Sequence, residues 1–127
     1  MSAFSVQRFD HIVLAVTDVG AARAFYQRVL GMDPREERPG KWSLHFGAGK
    51  ISLQSADAMP EIAQGTVAGS GNFCLISETP VAEWRSHLER EGVTILDSGR
   101  REGAVGPLDS LYFHDLDRNL VEVSNRL

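Results

Sequence analysis

The chain is poor in several features that define large classes of proteins. Its single cysteine, Cys74, cannot form an internal disulfide and suits a reducing compartment. The 13 Lys and Arg residues are outnumbered by 17 Asp and Glu, and Arg100-Arg101 is the only adjacent basic pair. Nucleic-acid binding rests on clustered cationic side chains, so we expect no nucleic-acid partner.

Long apolar runs are also missing from the sequence. No segment approaches the roughly 20 apolar residues that span a bilayer. The first residues lack the order of charged and then apolar residues that marks a signal peptide. We therefore expect a cytoplasmic protein with no membrane partner.

What the sequence does have is the composition of one compact domain. Its 127 residues are 43% hydrophobic and 24% charged, which is ordinary for a single globular domain with a real core. Half of this length, roughly 60 residues, would be marginal alone because small domains bury too little surface. We expect the two halves to share one core or to pair in a homodimer.

A repeat divides the chain into two similar halves. The strand-like runs that begin at His11 and Asn72 are 61 residues apart, and so are the glycines that end the following helix-like stretches, Gly31 and Gly92. Each half reads as a strand, a helix and three further strands. This pattern predicts an α+β fold of two βαβββ modules in a single domain spanning residues 1–127. The modules are expected at about 8–56 and 71–127, with a linker at about 57–70.

Local signals predict where individual elements begin and end. Asp18 is an expected N-cap for the first helix, and Gly31 is expected to end it. Thr79 is an expected cap for the second helix, followed by Pro80 in its first turn. Residues 93–96 read as extended, and the glycine-rich segment 103–107 reads as a loop.

Three motifs give the chain a family resemblance that extends over nearly its whole length. They are the Asp10-His11-Ile12 opening, the helix end from Ala24 to Met32, and the closing segment from Tyr112 to Val123. The chain resembles the vicinal oxygen chelate superfamily, which includes glyoxalase I, fosfomycin- and bleomycin-resistance proteins and extradiol dioxygenases. It is most similar to small glyoxalase-domain proteins with a Gly-Ala-Val-Gly-Pro segment, here 103–107.

The resemblance implies an architecture and a cofactor. Members pair their βαβββ modules into a half-open, mostly antiparallel barrel-like sheet around a divalent metal ion, usually in a homodimer. The matching ligand positions here are His11, Gln54 and Glu122, and Glu122 would also be the catalytic acid–base group. Imidazole and carboxylate ligands suit zinc, nickel, manganese or iron.

Two residues depart from the pattern that the resemblance implies. Gln54 replaces a histidine that similar proteins carry, and its amide oxygen is a weaker ligand. Asn72 occupies the position of a second histidine that extradiol dioxygenases require. These departures argue against both the extradiol dioxygenase and the glyoxalase I activities. They leave open a role that needs no metal ion.

Four residues are predicted to contact a small-molecule substrate. Asn72 and Cys74 share one face of a strand, so both are placed on the cavity side. Arg101 could bind a carboxylate or phosphate, and Gly103 would allow the backbone to approach the ligand. The alternative for this segment is a solvated hairpin with charged flanks.

The residue patterns leave two functions open. The favoured one is a metal-dependent lyase, isomerase or transferase that uses His11, Glu122 and Gln54. The alternative is a metal-free protein that sequesters a small molecule, as bleomycin-resistance proteins do. In that case His11 is held by its neighbour Asp10, and Glu122 forms an ion pair with an arginine such as Arg101 or Arg118.

Overall fold

The computed structural model describes residues 3–58 and 63–127, which form two βαβββ modules in succession. The first contains β1 (His11–Val16), α1 (Val19–Leu30), β2 (Asp33–Arg38), β3 (Lys41–Phe46), β4 (Gly49–Ser55) and a single 3-10 turn, Ala56–Ala58. The second contains β5 (Asn72–Ile76), α2 (Val81–Arg90), β6 (Asp97–Gly103), β7 (Gly106–His114) and β8 (Leu120–Arg126).

The strands form two separate sheets with the same layout. The first has the order β1-β4-β3-β2 and the second the order β5-β8-β7-β6. In each sheet the first strand runs parallel to its neighbour, while the other two pairings are antiparallel. The predicted α+β fold of two half-open modules is confirmed, and the two mixed sheets do not close into a barrel.

Helix α1 begins and ends where local signals place it. The Asp18 carboxylate accepts a hydrogen bond from the backbone N–H of Ala21 at 3.0 Å. Gly31 ends the helix with a φ of 68°, a left-handed conformation that glycine adopts without strain. The helix buries Ala22, Phe25, Tyr26 and Val29 against the sheets.

One core joins the two modules. Buried apolar residues of the first module pack in the same cluster as Leu88, Leu111, Phe113, Val121 and Val123 of the second. Burial of each such side chain contributes about 1.5–3 kcal/mol, so neither module keeps its full stability without the other.

The start of helix α2 differs from the prediction. The helix is preceded by Pro80, and the Thr79 side chain does not cap it. Instead, the amide oxygen of Asn125 in β8 accepts the Val81 N–H at 2.8 Å. A side chain 44 residues away thus satisfies one of the donors that the helix start leaves unpaired.

Two further predictions for the second module were wrong. Residues 93–96 are not a strand, and β6 begins only at Asp97. The segment 103–107 is not a loop, because Gly103 and Gly106 pair with each other at the end of the β6–β7 ladder. Only Ala104 and Val105 form the turn, as in a two-residue hairpin.

Residues 63–71, which precede the second module, contain no helix or strand. Part of the predicted linker, residues 59–62, lies outside the described residues. At its far end the Gly71 N–H donates to the Asn119 amide oxygen at 2.7 Å, which fixes the start of β5. Within the described chain, neither helix has the length and apolar character needed to cross a membrane.

Candidate functional site

Strands β1 and β5 lie at the edges of their sheets and flank a cleft of about 630 Å³. Its volume lies within the usual range of small-molecule sites, roughly 300–1,000 Å³. The apolar part of the lining combines both modules: Ile12, Leu14, Phe46, Ile51, Phe73 and Leu75. Polar side chains include His11, Lys50, Asn72 and Cys74.

The strand registers define equivalent positions in the two modules. In the second sheet, Cys74 lies opposite Glu122, and Glu122 lies opposite Tyr112. The corresponding row of the first sheet is Val13, Ser52 and Ser43. Residues that lie directly opposite share one face of a sheet. Ser52, rather than Gln54, is therefore the counterpart of Glu122 in the first module.

His11 and Gln54 lie at opposite ends of one strand pair. His11 is opposite Lys50, whereas Gln54 is opposite Ala15, four residues further along. Four residues of strand span roughly 13 Å. The Gln54 side-chain amide also donates to the Ala58 carbonyl at 3.2 Å.

His11 is held by the residue beside it. Its Nδ1 lies 2.8 Å from Asp10 Oδ1, and this hydrogen bond is the main reason why the pKa of Asp10 is lowered. No hydrogen bond among the described residues occupies its other nitrogen, Nε2. The ring therefore lies at the cleft with one nitrogen available to a ligand.

Glu122 is surrounded by hydroxyl groups instead of the arginines suggested as an alternative. Ser110 donates to Glu122 Oε2 at 2.7 Å, and Ser124 donates to the same oxygen at 3.3 Å. The two serine hydroxyls lie 2.6 Å apart and are fully buried. Ser110 and Ser124 lie on the same sheet face as Glu122, because side chains alternate between the two faces along each strand. This alternation is the signal in the sequence that could have identified them.

Cys74 joins this group from the edge strand. Its Sγ lies 3.3 Å from Ser124 Oγ, next to Glu122 in the register. Burial of the sulfur raises the pKa of the Cys74 thiol, and the negative charge of Glu122 raises it further. The thiol is therefore a weak nucleophile at neutral pH.

Arg101 belongs to the same face but is engaged locally. Its guanidinium donates to Asp97 at 3.0 Å and to the Tyr112 hydroxyl at 3.1 Å. The pKa of Tyr112 is raised, because burial of the Tyr112 hydroxyl and its hydrogen bond to Glu122 both favour the protonated form. Gly103 lies at the hairpin end, where an added Cβ would come within 2.9 Å of Leu108. The structure thus pairs Arg101 with protein groups and encloses Gly103.

The predicted metal ligands are spread over both modules of the structure. Among residues 3–58 and 63–127, no group of three or more His, Cys, Asp or Glu side chains could hold a metal ion. His11 and Glu122 lie in different sheets, and Gln54 lies away from the His11 end of β4. Stable protein metal sites generally use three or four ligands, so additional donors would be required.

The class of this protein is defined by two βαβββ modules in succession with a cleft between their first strands. Residues 8–123 match the sequence model of the Glyoxalase/Bleomycin resistance protein/Dioxygenase superfamily. The chain belongs to this family.

Relatives of the chain agree with this assignment. Virulence protein STM3117 of Salmonella typhimurium is 35% identical over 122 residues, covering 94% of this chain and 84% of the relative. Its crystal structure superimposes with a TM-score of 0.93 and covers 98% of this chain and 100% of that one. Glyoxalase domain-containing protein RDO1 of Mycosarcoma maydis is 34% identical, covering 95% of this chain and 69% of the relative.

More distant structures share the fold. Lactoylglutathione lyase from Agrobacterium tumefaciens has a TM-score of 0.76 at 22% identity, with 95% of each chain covered. The fosfomycin resistance protein FosX from Listeria monocytogenes, solved with Mn(II) and sulfate, has a TM-score of 0.70 at 20% identity. That comparison covers 97% of this chain and 93% of FosX.

Proposed function

We propose that the chain binds a small, largely apolar molecule in the cleft between β1 and β5. The observation that carries this proposal is the cleft of about 630 Å³, with an apolar floor contributed by both modules. Ligand sites in proteins generally combine an apolar lining with a few polar groups that fix orientation. Here His11, Lys50, Asn72 and Cys74 supply those groups.

This proposal develops the metal-free alternative, which the apolar lining of the cleft supports. Glu122 already accepts hydrogen bonds from two buried serines, which accounts for a carboxylate between the buried residues Val121 and Val123. In this role Asn72 and Cys74 contact the ligand, and Glu122 lies next to Cys74 on the neighbouring strand β8. Arg101 supports Glu122 through Tyr112.

Cys74 allows a direct test, because it is the only cysteine and lines the cleft. The probe is N-phenyl-1-naphthylamine, a neutral dye that fluoresces in apolar surroundings. We expect saturable binding by the wild-type protein and loss of binding after Cys74 reacts with N-cyclohexylmaleimide. In Cys74→Ser, treatment with the same maleimide should leave dye binding unaltered.

Two results would refute cleft binding. The wild-type protein could fail to bind the dye, or labelled and unlabelled protein could bind it equally. Circular dichroism of the labelled protein separates blockage of the cleft from unfolding, because only unfolding alters the spectrum.

A metal-dependent enzyme is the second candidate. It is favoured by the placement of His11 and Asn72 on the same cleft and of Glu122 beside Cys74. Gln54 lies four residues further along the strand pair, so His11, Asn72 and Glu122 would hold a divalent ion only with further ligands from water, substrate or a second chain. Zinc, nickel, manganese and iron all accept such mixed nitrogen and oxygen ligands, and the bound ion would act as a Lewis acid. Homodimer formation and a cytoplasmic location likewise stay predictions.

A further inference from the structure

The first sheet carries a row of nitrogen-bearing side chains beside the cleft. His11 on β1 lies directly opposite Lys50 on β4, and Lys50 lies directly opposite His45 on β3. Side chains in such positions lie on one face with Cβ atoms about 5 Å apart. The equivalent row of the second module is Asn72, Leu120 and His114, so the lysine is particular to the first module.

Lys50 is fixed in place by an acid that lies outside the cleft. Its ammonium group donates to Glu37 Oε1 at 2.7 Å, and His45 Nε2 lies 3.4 Å from the same oxygen. Lys50 lines the cleft, whereas Glu37 does not. An ammonium group has three N–H donors, and the bond to Glu37 uses one of them.

The other charged groups of the cleft do not compete for those donors. Lys50 is the only lysine or arginine in the described lining, and Asp10 is the only acid there. The Asp10 carboxylate is already engaged by His11, and 87% of its side chain is exposed to water. Its field is therefore weakened by solvent, while Lys50 is half-buried beside apolar side chains.

We infer that the cleft takes a small molecule with an apolar body and an anionic head group, a carboxylate, phosphate or sulfonate, held by Lys50. This inference rests on the proposed function and specifies its ligand class. Phe46 and Phe73 contact the apolar body, and the Asn72 amide donates from the opposite side of the cleft. Charge-assisted hydrogen bonds to Lys50 make the head group the main determinant of specificity.

Two dyes with the same ring system test the head group separately from the apolar body. N-phenyl-1-naphthylamine is neutral, and 8-anilinonaphthalene-1-sulfonate adds one sulfonate. The anionic dye should bind the wild-type protein about tenfold more tightly, the effect of one net charge-assisted hydrogen bond. This preference should decrease as salt concentration rises.

Lys50→Met removes the ammonium group and keeps an unbranched apolar side chain. It should weaken binding of the anionic dye about tenfold and leave the neutral dye within about twofold. Lys41→Met is the matched control, since it makes the same change in net charge at a residue that does not line the cleft. It should affect neither dye. Unaltered binding of the neutral dye also verifies that the cleft is folded.

The outcomes distinguish failure of this inference from failure of the proposed function. Equal binding of the two dyes, tighter binding of the neutral dye, or no effect of Lys50→Met on the anionic dye would overturn the inference and leave cleft binding intact. If neither dye binds, or if labelled Cys74 blocks neither, the proposed function itself fails. If Lys41→Met loses the preference for the anionic dye as fully as Lys50→Met does, the preference reflects the net charge of the protein. That result would also overturn the inference.

Discussion

The Tyr26 hydroxyl donates a 2.6 Å hydrogen bond to Asp115 Oδ2, across the boundary between the two modules. The other three partners of the Asp115 carboxylate all lie in its own turn: the N–H groups of Asp117 and Asn119 and the Asn119 side-chain amide. Tyr26 therefore joins helix α1 to the β7–β8 turn. Burial and the Asp115 charge raise the pKa of Tyr26, so its hydroxyl remains a donor.

Tyr26→Phe should destabilise the protein while preserving its shape. The substitution leaves a buried carboxylate with one fewer donor, and hydrogen bonds to charged groups contribute about 1.5–3 kcal/mol. We expect the free energy of unfolding in urea to fall by that amount. Tyr112→Phe is the control, since its hydroxyl is less buried and bonds within one sheet, where water can replace the lost partner; it should cost less than Tyr26→Phe. A smaller loss in Tyr26→Phe than in Tyr112→Phe would contradict this role.

Glu122→Gln should make Cys74 more reactive. Burial and the Glu122 carboxylate raise the pKa of the thiol, so removal of the negative charge lowers that pKa and increases the thiolate fraction at a given pH. Between pH 7 and 9 we expect maleimide labelling to accelerate about twofold to tenfold, since one pKa unit is tenfold in thiolate. Glu102→Gln removes the same charge from an exposed position and should have no effect. A slower reaction in Glu122→Gln would show that the carboxylate does not control the thiol.

Glu37 should contribute to acid stability. A hydrogen bond from Lys50 lowers the pKa of Glu37 from 4.5 to about 2. Because the pKa is lower in the folded protein, the contribution is complete above about pH 4.5 and is lost as the pH falls towards 2. Urea unfolding across this range should show a shallower decline in Glu37→Gln than in the wild-type protein. Lys50→Met should flatten the decline similarly, and an unchanged slope in both variants would contradict the coupling.

Features governed by neighbours in the sequence were predictable. The bounds of helix α1 follow from Asp18 and Gly31, because capping acts within one helical turn. The two-module fold follows from the repeat of 61 residues. Thr79 failed as a cap because Asn125, distant in sequence, takes that role.

Features that depend on pairing between strands were not predictable. β2, with the sequence Asp-Pro-Arg-Glu-Glu-Arg, has no apolar alternation and forms an edge strand through its pairing with β3. The Ser110 and Ser124 partners of Glu122 depend on the register of β7 and β8. Sequence periodicity gives the face of each strand but not which residues lie opposite each other.

The exposed residue Ile76 at the end of β5 supports the prediction of a homodimer. It does not line the cleft, and it is 48% exposed although its side chain is large and apolar. A second chain that covered this side chain would stabilise a pair of chains. Light scattering at micromolar concentration should give about twice the 14.0 kDa of one chain. A mass of 14.0 kDa would remove the dimer and with it any site that needs donors from two chains.

Metal retention separates the two proposed functions. If a second chain or bound water completes the ligand set, purified protein incubated with zinc, nickel, manganese or iron should retain about one ion per chain after desalting. His11→Ala and Glu122→Gln should each abolish retention without altering circular dichroism or oligomer size, whereas Glu102→Gln should retain the ion. The metal-free binding protein instead predicts no retained ion and intact binding of the anionic dye.

Because Lys50 lies beside His11, its positive charge opposes a cation at that position. Lys50→Met should therefore increase metal retention if His11 is a ligand, and equal retention in both proteins would place the ion elsewhere.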